Sequence, residues 1–378
     1  MRKDILSYCT VIGIVLITTF FFWFPFLFRF QSWFGLDIPN SNFLYIYRHY
    51  DGLLYVVAAK TLYVTKLIST FPIDIGFDPK YFAAHLPLYP LLIRFFAPIF
   101  NYAQAMVFVN IISSIVLAVF FFYMSKKFKL TKYPLLLTSV FLLLPRFLIV
   151  RSIGSPESLF LLFILLSLFF FEKEKYLLAG LLGGLATMTK TPGILLFGAY
   201  VLFFTEKLFF RNAKFKIKWL FVLLIPLALL PVFWLYQVQY NDFFAYFHSG
   251  DNLHLVAPYA VFNSMSRWVG SAWLEDIIFY FFLYLLAVIY LKDAKYRSFF
   301  YFSLVFFIAT IFIQHRDIGR YSLPLWPLAC IGFEKFFTAK KFLLALVILL
   351  PAIYMYAWNF SLQNVMPVSD WTAFFSKF

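Results

Sequence analysis

The stretch Tyr47-Arg48-His49-Tyr50-Asp51-Gly52 sets two basic side chains, a carboxylate and two tyrosines side by side in a chain that is otherwise largely hydrocarbon. A carboxylate such as Asp51 can take the proton from an attacking hydroxyl. Other ionisable groups recur at a few places: Asp74, Asp78, Lys80 and His85; Arg151 and Glu157; Lys190; Asp242, His248 and Asp251; Arg267; and His315, Arg316, Asp317 and Arg320. Guanidinium and ammonium groups hold phosphate through charge-assisted hydrogen bonds. Several cations with a few histidines and carboxylates therefore suit a phosphate-bearing ligand plus a general base. Tyr and Trp can stack on sugar rings, and both are also ordinary residues of a membrane interface.

What positions these groups follows from composition. The 378 residues are 63% hydrophobic and 13% charged, against about 25% charged in soluble domains. Lipid must therefore be the main solvent, and the class is an all-α polytopic membrane protein, since an open backbone finds no partner in a bilayer. Apolar runs long enough to span fall near 5–28, 101–124, 133–150, 156–171, 176–190, 192–206, 218–239, 274–291, 297–313, 318–334 and 341–358, which predicts about eleven spans. Met1-Arg2-Lys3 before the first run looks like the start of a signal peptide, but the run is long and no small-residue cleavage pattern follows. It reads as an uncleaved first span.

The net charge of +15 is a topology signal rather than a nucleic-acid patch. Lys126, Lys127, Lys129 and Lys132 cluster in one loop, Lys207 to Lys218 in another, and similar groups follow at 173–175, 292–297 and 335–341. Every second loop is basic, which places the N-terminus in the cytoplasm. The long loops about 29–84 and 240–272 then lie outside, with 53–68 as an interfacial helix and the ionisable groups at the outer ends of spans. No repeat or linker divides 1–378, which reads as one membrane domain. Cys9 and Cys330 sit in apolar runs and indicate neither a disulfide nor a zinc site. The 56 Phe residues accompany enriched Lys, Tyr and Ile and carry no functional inference.

Local structural roles compete with the chemical ones. Asp51 before Gly52 could simply cap a helix, and Glu157 after Pro156 could favour a helix dipole. Arg316 and Asp317 could be a local ion pair. His248 and His254 read as solvated or packing residues, and Pro87 and Pro90 as breakers of an apolar run. His49, His85 and His315 are too scattered for a metal site.

Several islands together resemble the GT-C glycosyltransferases, and most closely the family of the enzyme that adds the second mannose in GPI-anchor synthesis, with its prokaryotic relatives. The islands are HYDGLLYVVA with Asp51, AHLPLYP (Ala84–Pro90), GSPESLF (Gly154–Phe160) with Glu157, TKTPG (Thr189–Gly193) with Lys190, NDFFAYF (Asn241–Phe247) and GRYSLPLWPL (Gly319–Leu328) with Arg320 and Tyr321. They run in the family's order over nearly the whole chain. Tyr50 stands where the family has Trp, His85 where it has an aromatic residue, and Lys190 where it has Arg. HLPLYPLL also resembles a segment of the protein O-mannosyltransferase and lipid A aminoarabinose transferase relatives.

The resemblance implies a GT-C fold and inverting transfer of a sugar, mannose above all, from a polyprenyl-phosphate donor of the dolichyl-phosphate-mannose kind. The acceptor would be a hydroxyl of a glycolipid or glycan at the extracytoplasmic face of the cell membrane, or of the ER in a eukaryote. It implies Asp51 as general base and Arg316, Arg320, Lys190 and His315 as ligands of the donor phosphate. Arg48, His49, Tyr50, His85, Tyr89 and Tyr321 would line the substrate site, and Arg151 and Glu157 would shape its acceptor side or brace one another. No metal or other cofactor and no nucleic acid is expected. A polyprenyl-linked sugar transporter would share the spans and the basic outer cavity, but it predicts repeats or broken midplane helices. A non-catalytic assembly subunit would leave Asp51 replaceable.

Overall fold

The computed structural model describes residues 2–49, 51–71, 78–250, 255–263, 274–315 and 317–376. They are overwhelmingly helical, with a two-residue hairpin, Ser32–Trp33 against Leu36–Asp37. Among the described residues six helices are long and apolar enough to cross a membrane: Asp4–Leu27, Tyr102–Lys127, Thr191–Phe210, Ile217–Tyr240, Leu274–Leu291 and Lys340–Gln363. Shorter apolar helices cover most of the other expected runs. The chain separates into two compact units, one of Met1–Leu162, Val232–Ser249 and Phe337–Phe378, the other of Phe163–Pro231 and Gly250–Phe336. Each unit is discontinuous in the chain, which is why no linker is visible in the sequence.

In the first unit the run expected as one span over 133–150 is two helices, Pro134–Leu142 and Pro145–Val150. Pro145 has no N–H to donate and pushes Leu144 to an extended ψ of 128°, so the helix stops there. The break frees the Leu142 carbonyl, and Arg151 supplies its partner, Nε to O at 3.1 Å. The same guanidinium donates to Thr19 Oγ1 at 2.9 Å and Thr18 Oγ1 at 2.7 Å on the Arg2–Leu27 helix. Trp23 Nε1 adds a bond to Ser152 O at 2.6 Å. A fully buried cation is thus matched by three oxygens, which an apolar interior demands.

The Tyr102–Lys127 helix holds the other side of this loop. Met106, Asn110 and Ser114 recur every fourth residue and so share one face. Asn110 Nδ2 donates to Val150 O at 2.7 Å and Ile153 O at 2.5 Å. Ser114 Oγ reaches Ser158 Oγ at 2.8 Å. The expected interfacial helix over 53–68 is two pieces, Gly52–Thr61 and Thr65–Ile68, parted by Leu62 and Tyr63 at φ +46° and +67°. These left-handed turns are uncommon for such residues. They are held by Leu62 N to Ala58 O at 2.9 Å and by the buried Tyr63, whose hydroxyl donates to His85 O at 2.5 Å. Every residue of the Gly52–Thr61 helix except Lys60 is buried.

In the second unit the Tyr176–Thr189 helix brings Gly180 and Gly184 to a neighbouring backbone. A Cβ on Gly180 would lie 2.1 Å from the Phe221 carbonyl oxygen, the close approach that small residues spaced by four allow between membrane helices. Glu172 receives the N–H of Ser298 at 2.8 Å, at the start of the Arg297–Ile311 helix.

Asn110→Ala should strip two carbonyls of their donor and lower stability by about 2–3 kcal/mol. Thermal unfolding of the detergent-solubilised protein measures this; an unchanged midpoint would show that the Val150–Ile153 turn does not depend on Asn110.

Candidate active site

The acid-bearing turn is built locally. Asn42 Oδ1 accepts the Leu44 N–H at 2.9 Å and opens a one-turn helix, Leu44–Tyr47. Arg48 ends that helix and lays its guanidinium 4.5 Å from the Tyr45 ring centroid. His49 is fully buried, pairs with Val365 in an antiparallel bridge and sets its ring edge-on to Phe360 at 5.5 Å. Asp51 occupies the N-cap of Gly52–Thr61, and its carbonyl accepts from Leu54 and Tyr55. Its carboxylate makes no capping bond. The capping role is therefore carried by the backbone, and the half-buried carboxylate is not committed to it.

Gly52 explains why this turn sits where it does. A Cβ there would lie 2.7 Å from the Gly154 carbonyl oxygen and 3.1 Å from Met106 Sδ. The Asp51 turn thus abuts the GSPE stretch. In that stretch Glu157 is buried and receives the Ser155 hydroxyl. Tyr89 and His85 join from the other side. The Tyr89 hydroxyl donates to Met106 O at 2.7 Å, and both rings meet Tyr55 edge-on, at 5.2 Å and 4.7 Å. The first unit therefore gathers the Asp51 turn, His85, Tyr89 and the Glu157 stretch around Tyr55 and Met106.

The expected bracing of Arg151 against Glu157 does not form. The broken helix and the two threonines take the guanidinium instead. Tyr50, Asp74, Asp251, His254, Arg267 and Arg316 lie outside the described residues.

The second unit gathers cations around Tyr321. Lys190 follows the Tyr176–Thr189 helix in extended conformation (φ −148°, ψ 134°), because Pro192 prevents its continuation. Its ammonium lies 5.9 Å from the Tyr321 ring centroid, and the His315 ring meets Tyr321 at 4.8 Å. His315 Nδ1 accepts the Asp317 N–H at 2.9 Å. A neutral imidazole accepting there carries its proton on Nε2. Asp317 caps the Ile318–Tyr321 turn by accepting from Arg320 N. Lys190 and His315 thus meet at Tyr321, with Arg320 next to Tyr321 in the chain, and both can donate to an anionic oxygen.

A third constellation was not foreseen. Asp242 binds His248 Nδ1 at 2.8 Å and Lys80 Nζ at 3.2 Å; His248 is exposed, as expected of a solvated loop residue, and meets Asp242 from there. Burial works against the Asp242 charge, but His248 and Lys80 outweigh it and hold the carboxyl below its ordinary value.

Other functional candidates were missed because their partners are distant in sequence. Arg146 is buried with its guanidinium 3.9 Å over the Phe360 ring that also meets His49. Lys60 looked like the polar edge of an interfacial helix. Asn110 and Ser114, polar groups inside an apolar run, were the one signal legible beforehand. Among the described residues no group of three metal-type ligands occurs.

No family model matches the chain, and no curated protein matches its sequence. Among solved structures it is similar to ArnT from Cupriavidus metallidurans bound to undecaprenyl phosphate, with a TM-score of 0.57 and 12% sequence identity. The match covers 90% of this chain and 63% of that one, so this chain spans less than two thirds of ArnT's length. The likeness is one of fold. Six helices long and apolar enough to span, among the described residues, make the chain a multi-pass membrane protein.

Two outcomes follow. Gly52→Ala forces a methyl against a backbone oxygen and should cost about 1–3 kcal/mol, read as a lowered thermal midpoint; full stability would contradict the close packing. A carboxyl held below its unfolded value stabilises the fold above about pH 4, and the contribution is lost as pH falls through the folded value. Limited proteolysis within 243–250 should therefore rise in acid, and Asp242→Asn should show the raised cleavage already at neutral pH.

Proposed function

We propose that the protein is an inverting, integral-membrane glycosyltransferase using a polyprenyl-phosphate sugar, with its chemistry at the extracytoplasmic face. The observation that carries this reading is the fold shared over 90% of the chain with a protein bound to undecaprenyl phosphate. It is supported by an N-terminal carboxylate, Asp51, that its helix does not use as a cap. The resemblance to the second-mannose family favours mannose as the sugar and a glycolipid or glycan hydroxyl as the acceptor.

In this mechanism Asp51 takes the acceptor's hydroxyl proton while the acceptor oxygen attacks the anomeric carbon. The bond from that carbon to the phosphate oxygen breaks, its electron pair leaves with the polyprenyl phosphate, and the configuration inverts. Lys190, Arg320 and His315 Nε2–H are assigned to the donor phosphate, and Arg316 joins them on the resemblance. Charge-assisted bonds of this kind stabilise the departing anion without a metal.

Incubating the purified protein with a panel of polyprenyl-phosphate sugars and lipid acceptors tests the reading directly. Asp51→Asn should lower transfer by about a thousandfold while donor binding persists; retained turnover would reject Asp51 as the base. Lys190→Gln and Arg320→Gln should each weaken donor binding about tenfold, the loss of one charge-assisted hydrogen bond. Equal affinity in both variants would remove the phosphate role.

A further inference from the structure

The Gly52–Thr61 helix is gripped at both ends by one segment from far along the chain. At its N-terminal end the Met366 N–H donates to Arg48 O at 2.8 Å, and Val365 pairs with His49. At its C-terminal end Lys60 Nζ donates to the carbonyls of Ala373 at 2.7 Å and Ser376 at 2.9 Å and to the Ser376 hydroxyl. Between these points the segment is seated by Phe374, which is fully buried and meets Phe71 at 5.6 Å, and by Phe375 against Tyr47 at 5.8 Å. Arg94 Nη1 closes the same helix end through the carbonyls of Ala59 and Lys60, at 3.0 and 2.9 Å.

The chemistry of Lys60 is unusual for its place. It is the one charged residue of a helix whose other nine residues are buried. Its ammonium sits 4.9 Å from the Tyr102 ring centroid and donates to main-chain carbonyls and a hydroxyl rather than to a carboxylate. Main-chain carbonyls belong to whatever segment happens to be docked there. A lysine bonded to two of them therefore fixes the position of a strand of backbone, not the charge of a partner.

We propose that residues 365–376 are a positioning strap for the turn that bears Asp51, and that Lys60 is the positioning residue that locks it. A ten-residue helix is about 15 Å long, a span that the eight residues from Met366 to Ala373 cover. With the strap tied at Arg48 and at Lys60, the helix cannot slide or rotate without breaking a charge-assisted bond or the backbone pairing. The kinetic consequence rests on the reading of Asp51 as the base; the structural consequence does not.

The experiment pairs hydrogen exchange with kinetics on the full-length, detergent-solubilised protein. Lys60→Met keeps the aliphatic stem and removes the donors, and Lys60→Arg keeps donors. Met366→Pro removes the N–H at the other end. Loss of the tie at either end, the Lys60 ammonium bonds or the Met366 backbone bond, should speed exchange of the amides of 48–55 about tenfold in Lys60→Met and Met366→Pro, with the Tyr102–Lys127 helix unchanged. Turnover should fall by a similar factor at unchanged KM for the donor, and Lys60→Arg should restore both. Unchanged exchange at 48–55 overturns the strap. Faster exchange there with wild-type turnover overturns the positioning role. A wild-type protein inert toward every polyprenyl-phosphate sugar instead overturns the transferase reading, and the exchange data alone then decide the strap.

Discussion

A short irregular loop, 151–156, runs between helices in an apolar setting where water does not solvate its backbone. Its polar groups must therefore be matched by protein. The match comes from three directions: Asn110 to the carbonyls of Val150 and Ile153, Ser114 to Arg151 O, and Trp23 to Ser152 O. Arg151 then turns its side chain outward from the loop to the broken helix and to Thr18 and Thr19. Removing any one of these leaves a buried donor or acceptor unmatched, which costs more than the bond itself contributes. Because Gly52 rests on Gly154 with no room for a methyl group, the place of the Asp51 turn depends on this satisfied loop.

The two units solve the cost of charge in different ways. In the first, Glu157 is buried beside the Ser155 hydroxyl, and Arg48 and Arg146 face the rings of Tyr45 and Phe360. Ring faces offer a cation partial compensation without neutralising it. In the second, Lys190 and His315 gather at Tyr321, and the backbone N–H of Asp317 donates to His315 Nδ1, which leaves the proton of a neutral imidazole on Nε2. The ion pairs at the loop ends are of another kind. Glu174 with Lys207 and Lys218, and Glu206 with Arg211 and Arg297, tie neighbouring segments at partly exposed positions, where each contributes little by itself.

Parts of the site were anticipated. Asp51 stands where an N-cap was expected, and Lys190, His315 and Tyr321, which the resemblance had placed at the substrate, come together although 131 positions (190 to 321) separate Lys190 from Tyr321. Other roles were not legible. Arg151 was expected to shape the acceptor side or to brace Glu157, six residues away, but a carbonyl freed by Pro145 and two hydroxyls of the first helix take its guanidinium. The pairing of Asp242 with Lys80, 162 residues earlier, was not foreseen. In each case the deciding partner is remote in sequence, and no local pattern announces it.

By itself the sequence determined the class, because apolar runs of this length have no stable alternative to helix in lipid. It also marked some helix starts, at Pro134 and Pro145, since a proline removes a donor and constrains the residue before it. Tertiary structure alone decided that Arg151 ties the 133–150 run, split at Pro145, to Thr18 and Thr19, that the Gly52–Thr61 helix is buried on nearly all sides, and that residues 365–376 grip it. Those features depend on hydrogen bonds between groups dozens to hundreds of residues apart, and such bonds are chosen by what folding brings within about 3 Å, not by what lies next along the chain.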